Sequence, residues 1–319
     1  MQRPGTIGAA SACLIVSLTC GLSGCTAGDS KPDQAATQSA PVSPQTSAGS
    51  PTTVAAPTTV LTFVEENSSL AQMQAEMPYL NSLARQYAYA NNYTAITHPS
   101  LPNYLAIAGG STFGVDDDAD PSSNAAKVGD APSVFDQALA NGDSAKTYAE
   151  SMPDNCALTS SDRYAVKHNP WAYFPAGRAN CERFDVPSGT PASGALATDI
   201  ADGTLPNVGL VIPNLCNDAH DCSLSTADNW LRGWLPDVLA SPDFTSGRLV
   251  VVITADEDDR ESGNKVLTVV LHAGIPAGRV VTANLTHYSL SRLYSQISDV
   301  TPLGDAVSSA DMAGAFGLT

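Results

Sequence analysis

Ser100 is the residue whose type and setting best suit nucleophilic chemistry. It closes the polar cluster Thr97-His98-Pro99-Ser100, which runs straight into the apolar, helix-compatible stretch Leu101-Pro102-Asn103-Tyr104-Leu105. A loop becomes a helix there, with Pro102 suited to the first turn. A hydroxyl at a helix N-terminus lies among unpaired backbone N–H groups and at the positive end of the helix dipole. That setting favours a phosphoryl group, which an activated serine can attack. Taken alone, the more ordinary reading of this serine is an N-cap.

Three polar clusters shift that reading. Residues 60–64 (VLTFV) end at Glu65-Glu66-Asn67, residues 208–212 (VGLVI) lead to Asn217-Asp218-Ala219-His220-Asp221, and residues 249–254 (LVVVIT) lead to Asp256-Glu257-Asp258-Asp259. Each run before a cluster has the composition of a buried strand. In doubly wound α/β folds, ligands bind beyond the carboxyl ends of the strands, so the three clusters and Ser100 are expected to converge on one edge. Singly, each has a plainer reading as a solvated acidic loop, a bridged turn or a helix cap. Jointly, carboxylates that close cannot all stay ionised without a counter-charge. A divalent cation, of identity and number that the chain does not specify, is the expected cofactor. It would lower the pKa of the Ser100 hydroxyl and polarise a phosphoryl oxygen.

The elements that must position these groups are legible from periodicity and punctuation. Strands are expected at 60–64, 146–149, 208–212, 249–254 and 266–271. Helices are expected at 77–90, from Ser100 to Gly109-Gly110, at 132–139 opened by Asp130 or Ala131, at 227–239 and at 288–297. Continuous apolar strands alternating with helices imply an α/β fold whose mostly parallel sheet is covered on both faces.

The N-terminal part reads as an address. Arg3, the apolar run 7–19 and the lipobox Leu22-Ser23-Gly24-Cys25 make residues 1–24 a lipoprotein signal peptide and Cys25 its lipid-modified cysteine. The Ser/Thr/Pro/Ala-rich stretch 25–57 cannot bury enough apolar surface to offset ordering and is expected to be a disordered tether. Residues 58–319 suit one large domain. Of seven cysteines, Cys156, Cys181, Cys216 and Cys222 remain in that domain, an even set suited to an oxidising compartment. Pairing Cys156 with Cys181 and Cys216 with Cys222 is preferred because both loops are local; a four-cysteine zinc site is the rival, without a CxxC pair behind it. The net charge of −17 argues against nucleic-acid partners and against electrostatic adhesion to anionic membranes, which leaves the Cys25 lipid as the expected membrane link. Nothing in the chain specifies an oligomeric state.

The strings THPSLPNYLAIAGG, EEN, PNLCNDAHDC, ITADEDD and THYSLSRLY occur in an order that resembles the phosphoesterase family of secreted acid phosphatases and phospholipases C, within the alkaline phosphatase-like superfamily. The likeness runs from about residue 58 nearly to the C-terminus. It implies a three-layer α/β/α sandwich and a phosphoseryl intermediate. It makes Ser100 the metal-bound nucleophile, with Glu66 and Asn67 as one pair of metal ligands and Asp256 and Glu257 as another. Asp218 and His220 would meet the phosphate or a metal, with His220 protonating the leaving group and His287 completing that side. The segment 164–174 (YAVKHNPWAYF) resembles a further family segment, which implies that Lys167 and His168 hold phosphate or substrate; Asn103 joins the same phosphate or second-metal set. The resemblance leaves His98 without a role. The expected activity is a metal-dependent phosphomonoesterase of the acid phosphatase type, acting on a phosphoinositide, another phospholipid or a small phosphomonoester. The alternatives are a phospholipase C-type phosphodiesterase and a non-enzymatic, lipid-anchored solute-binding protein. Either way the protein is expected to be exported, held on the extracytoplasmic membrane face or secreted.

Overall fold

Leucine and β-branched runs build the centre of a nine-stranded sheet in the order β4-β3-β5-β1-β6-β7-β2-β8, with β9 also paired to β2. The strands are β1 (Thr59–Glu65), β2 (Ala88–Thr94), β3 (Ala145–Ala149), β4 (Asp185–Pro187), β5 (Val208–Ile212), β6 (Leu249–Ala255), β7 (Lys265–Leu271), β8 (Arg279–Val281) and β9 (Leu285–Thr286). The computed structural model describes residues 56–319. The expected signal peptide, Cys25 and nearly all of the expected tether lie outside the described residues.

Every residue of β1, β5 and β6 is buried, as expected of strands covered on both faces. Helices α3 (Ser100–Gly109), α5 (Val134–Asn141) and α10 (His287–Ile297) pack on one another, as do α1 (Leu70–Glu76), α2 (Pro78–Gln86) and α8 (Leu224–Ala240). The helices α4 (Pro121–Val128), α6 (Arg178–Phe184), α7 (Ala195–Asp202), α9 (Pro242–Thr245) and α11 (Met312–Phe316) complete the helical set. All strand pairs are parallel except those of β7, which runs antiparallel to both β6 and β2. The result is the expected α/β architecture with a large, mostly parallel sheet.

Several element boundaries differ from expectation: the helix expected over 227–239 opens earlier, at Leu224 after a Ser223 cap, and two others differ in their ends. The helix expected over 77–90 ends at Gln86, and Ala88–Thr94 is strand β2. Helix α5 is opened by neither Asp130 nor Ala131 but by Ser133, whose Oγ accepts from the Asp136 N–H while the Asp136 carboxylate reaches back to the Ser133 N–H. This is a capping box, which satisfies two of the helix's orphan donors reciprocally.

Both disulfides form as paired from sequence, Cys156–Cys181 and Cys216–Cys222. With the sulfurs bonded in pairs, the four-cysteine zinc reading falls. Helix α3 is buried along its whole length and stops at Gly110, which is left-handed at φ 65°. A Cβ on Gly110 would also run into the Leu303 carbonyl, so geometry and space both require glycine there. Among the described residues, no helix is long and apolar enough to cross a membrane.

Candidate active site

The site starts from the β1–β6 ladder. Glu65 pairs with Ala255, and the Asp256 N–H donates to the Glu65 carbonyl at 2.9 Å. The residues that follow, Glu66-Asn67 and Asp256-Glu257, therefore leave the sheet side by side. Further backbone bonds stitch the clusters together, from the Glu66 N–H to the Asp218 carbonyl (2.8 Å) and from the Ser68 N–H to the Glu257 carbonyl (2.9 Å). Asn67 makes the turn at φ 50°, and its N–H donates to Asp256 Oδ1 at 3.1 Å.

Ser100 is the first helical residue of α3, and Pro99 stands at the N-cap without a side-chain bond to the helix. The capping reading of Ser100 is thereby replaced. Its hydroxyl is turned out of its own helix and donates to Glu66 Oε2 at 3.1 Å, and only 2% of the residue is exposed. Glu66 is the hub. Asn67 Nδ2 also donates to Oε2 (3.0 Å), and Tyr104, one turn along α3 from Ser100, donates its hydroxyl to Oε1 (3.0 Å).

His168 lies between two carboxylates, with Nε2 3.0 Å from Glu66 Oε1 and Nδ1 3.2 Å from Asp218 Oδ2, and its ring is stacked on Tyr104. Both approaches are bent away from ideal hydrogen-bond geometry, so they act mainly as charge contacts. Burial alone would lower the His168 pKa, but Glu66 and Asp218 outweigh it and raise it to about 9. Reciprocally, burial acts to raise Glu66, yet His168 and then Lys167 bring it down to about 2. His168 is thus an imidazolium that keeps Glu66 ionised.

The acidic run after β6 divides by environment. Burial, then Glu66 and Glu257, push the Asp256 carboxyl well up. Glu257 is raised, first by burial, despite His98 beside it. Asp258 moves the other way: burial opposes it, but the N–H groups of Arg260, Asn264 and Ser262 hold it below the usual range. Asp258 organises its loop, whereas Asp256 and Glu257 are left under-compensated, Glu257 despite His98 and the more distant Arg260.

That deficit, with buried Asp256 Oδ2 and Asp218 Oδ2 meeting no hydrogen-bond donor, fits a divalent cation among oxygen ligands. Glu66, His168 and His220 also converge within 4.8 Å of one another, but an imidazolium has no free lone pair, so His168 serves there as a charge and not as a ligand.

Toward solvent, Lys167 Nζ reaches Asp118 Oδ2 (3.1 Å) and His220 Nε2 (3.3 Å). His220 lies within the loop closed by Cys216–Cys222, with its Nδ1 2.8 Å from Asp221 Oδ1 and its N–H donating to Asp218 Oδ1. Ser100, Glu66, Asn67, Asp256, Glu257, Lys167, His168, Asp218 and His220 are therefore brought together.

Two expected residues face elsewhere. Asn103 accepts from the Ile96 and Thr97 N–H groups and donates to the Thr97 and Pro99 carbonyls and to Glu257 Oε2 (3.1 Å). Its amide closes the loop into α3 and braces Glu257. His287 is fully buried, with Nε2 2.6 Å from the Asp256 carbonyl and Nδ1 3.1 Å from the Tyr93 hydroxyl. Burial lowers its pKa to about 4. It is a neutral ring that donates to the Asp256 carbonyl and accepts from the Tyr93 hydroxyl, so it supports the Asp256 backbone from within the core.

Tyr104, Asp118 and His98 escaped the sequence reading. Only Tyr104 had a signal, its i+4 spacing from Ser100 on one helix face. Asp118 comes from the loop after α3 and accepts from the Leu101 N–H at 2.9 Å, which nothing local foretells.

A profile of the Phosphoesterase family matches residues 60–301. The chain belongs to the phosphoesterase family. These are hydrolases of phosphoric esters. Phosphatidylinositol-3-phosphatase from Mycobacterium tuberculosis is 33% identical over 81% of this chain and 82% of its own length. The phosphate-repressible acid phosphatase of Penicillium chrysogenum is 33% identical over 66% of this chain and 52% of its own length, so the chain spans about half of that fungal relative. Among solved structures, a Vibrio parahaemolyticus protein in the alkaline phosphatase superfamily aligns with a TM-score of 0.55 at 10% identity, over 81% of this chain and 72% of its own. The lipoteichoic acid synthase LtaP from Listeria monocytogenes aligns with a TM-score of 0.52 at 12% identity, over 80% and 76%. At such identities these two likenesses speak for the fold alone.

Proposed function

We propose that this chain is an exported, metal-dependent phosphomonoesterase that hydrolyses small phosphomonoesters, phosphoinositides among them, through a phosphoseryl intermediate on Ser100. One observation carries the reading: a buried hydroxyl at the first position of α3, bonded to Glu66 and flanked by the under-compensated carboxyls of Asp256 and Glu257. A divalent cation held by Glu66, Asn67, Asp256 and Glu257 would supply the charge that stabilises the ionised serine and a phosphate oxygen.

The chain's own groups account for the remaining roles. Ser100 Oγ attacks phosphorus, and Lys167 offers positive charge to the phosphate oxygens. His220, oriented through Nδ1 by Asp221, presents Nε2 to donate a proton to the departing alkoxide and then to take one from the water that cleaves phosphoserine. His168 stays charged beneath them and holds Glu66 ionised. The two disulfides of the folded part, together with the lipobox at Cys25, support export to an oxidising compartment.

Ser100→Ala is expected to lower turnover of a phosphomonoester by roughly a thousandfold or more while leaving the fold unchanged. Prolonged chelation should abolish activity in the wild type, with recovery on adding back a divalent ion. Near-wild-type turnover in Ser100→Ala, or activity indifferent to chelation, overturns the reading. Assaying phosphatidylcholine beside a monoester separates phosphatase from phospholipase C action.

A further inference from the structure

His98 has no place in the chemistry above, yet its ring occupies a defined position. It sits in the loop between β2 and α3, two residues before the nucleophile. Nδ1 lies 3.0 Å from Glu257 Oε1 and Nε2 lies 3.1 Å from Asp258 Oδ1, with 21% of the side chain exposed. The other Glu257 oxygen, Oε2, accepts from Asn103 Nδ2 at 3.1 Å. Oε1 of this long, flexible carboxylate thus has a close charge contact from the β2–α3 loop, off hydrogen-bond alignment, and Oε2 a hydrogen bond from the first turn of α3.

That loop is anchored independently of His98. The Ala95 N–H donates to the Asn264 carbonyl (2.8 Å), and Asn264 Nδ2 donates to the Thr97 carbonyl (2.9 Å). Asp258, the second partner of His98, is fixed by three backbone N–H groups of its own loop. The ring thus bridges an already rigid carboxylate, Asp258, and Glu257, whose Oε1 has, besides His98, only the exposed Arg260 guanidinium at 4.0 Å among the described residues.

From this arrangement we infer that His98 is a positioning residue for the metal centre, acting through Glu257. The inference rests on the metal-dependent reading above. A glutamate has several rotatable bonds, and holding it in one rotamer removes the entropy cost of ordering it when an ion arrives. Groups that orient a metal ligand in this way typically change metal affinity by about 10- to 100-fold when removed.

The two ring nitrogens allow a test that separates this role from simple bracing of the loop. The amide nitrogen of asparagine stands close to where histidine carries Nδ1, and that of glutamine close to Nε2. His98→Asn therefore keeps an N–H facing Glu257 and gives up the contact with Asp258, whereas His98→Gln does the reverse. The dissociation constant for Mn²⁺ is measured by equilibrium dialysis on the metal-stripped full chain, alongside the melting temperature without metal. His98→Gln and His98→Ala are expected to bind Mn²⁺ about tenfold or more weakly, and His98→Asn within about threefold of wild type. Equal Mn²⁺ affinity in all three variants and the wild type overturns the inference. So does a loss of affinity in His98→Asn that matches His98→Gln, because the effect then follows the loop and not Glu257. A wild-type chain that binds neither Mn²⁺ nor Zn²⁺ overturns the metal-dependent reading itself, and this inference with it.

Discussion

Glu66 meets Ser100, Asn67, Tyr104 and His168 with its two carboxylate oxygens, so the proposed nucleophile is held by a group that is itself fixed from several directions. The segment carrying Lys167 and His168 rests in turn on a buried acid. Asn169 Nδ2 donates to Asp185 Oδ2 at 2.7 Å, and Thr147 Oγ1 donates to Asp185 Oδ1 at 2.6 Å. Burial outweighs these bonds and raises the Asp185 pKa to about 7. The folded protein then holds a proton there that the unfolded chain releases near its ordinary carboxylate pKa. This contribution is fully present below the unfolded pKa and is lost as pH rises through about 7, at a cost on the order of 4 kcal/mol. Urea titrations from pH 5 to 8 should show wild-type stability falling relative to Asp185→Asn as pH rises. A constant difference across that range would sink the assignment. At this scale the sequence reveals residues by chemical type and joint placement: Ser100, Glu66 and His220 stand out because hydroxyl, carboxylate and imidazole recur together after strands and at a helix start, each with an ordinary reading when taken singly. Asp185 and Asp118 do not, since their importance comes from burial and from partners far along the chain.

The elements divide by how local their causes are. β5 is a continuous apolar run that coincides with its expectation at 208–212, and α3 ends at the glycine pair expected to stop it. β2 reads AYANNYT, a sequence with no strong strand signal, and its pairing with β7, β8 and β9 decides its conformation. The antiparallel direction of β7 is likewise a tertiary fact that no window of sequence contains. His287 was placed by motif on the phosphate side, but it sits at the start of α10, fully buried, behind the Asp256 backbone. An element-scale prediction concerns the Cys216–Cys222 loop. Its sequence separation of six closes a small ring, for which loop entropy gives roughly 2 kcal/mol of stabilisation. Replacing both cysteines by serine should lower stability by about that much. It should lower kcat more than it raises KM, because His220 is carried on this loop. An unchanged kcat would separate the bridge from the site.

Across the whole molecule, a net charge of −17 surrounds a site where Asp256, Glu257 and Asp218 are all raised, first of all by burial. An ion that binds only the folded state stabilises it in proportion to the logarithm of its concentration over its dissociation constant. The melting temperature should therefore rise on adding Mn²⁺ or Zn²⁺ to the stripped protein and climb with ion concentration. The rise should be lost in Asp256→Asn; a melting temperature independent of added ion would count against a metal in this site. The register of Glu65 with Ala255 has one more consequence. Glu66 and Asp256 begin their paths from adjacent strands, about 4.8 Å apart, a distance fixed by main-chain hydrogen bonding and not by any side chain. The sheet thus acts as a gauge. Loops outside the sheet, such as those bearing His220 and Asp118, can vary in sequence without altering the spacing from which the two acidic clusters start.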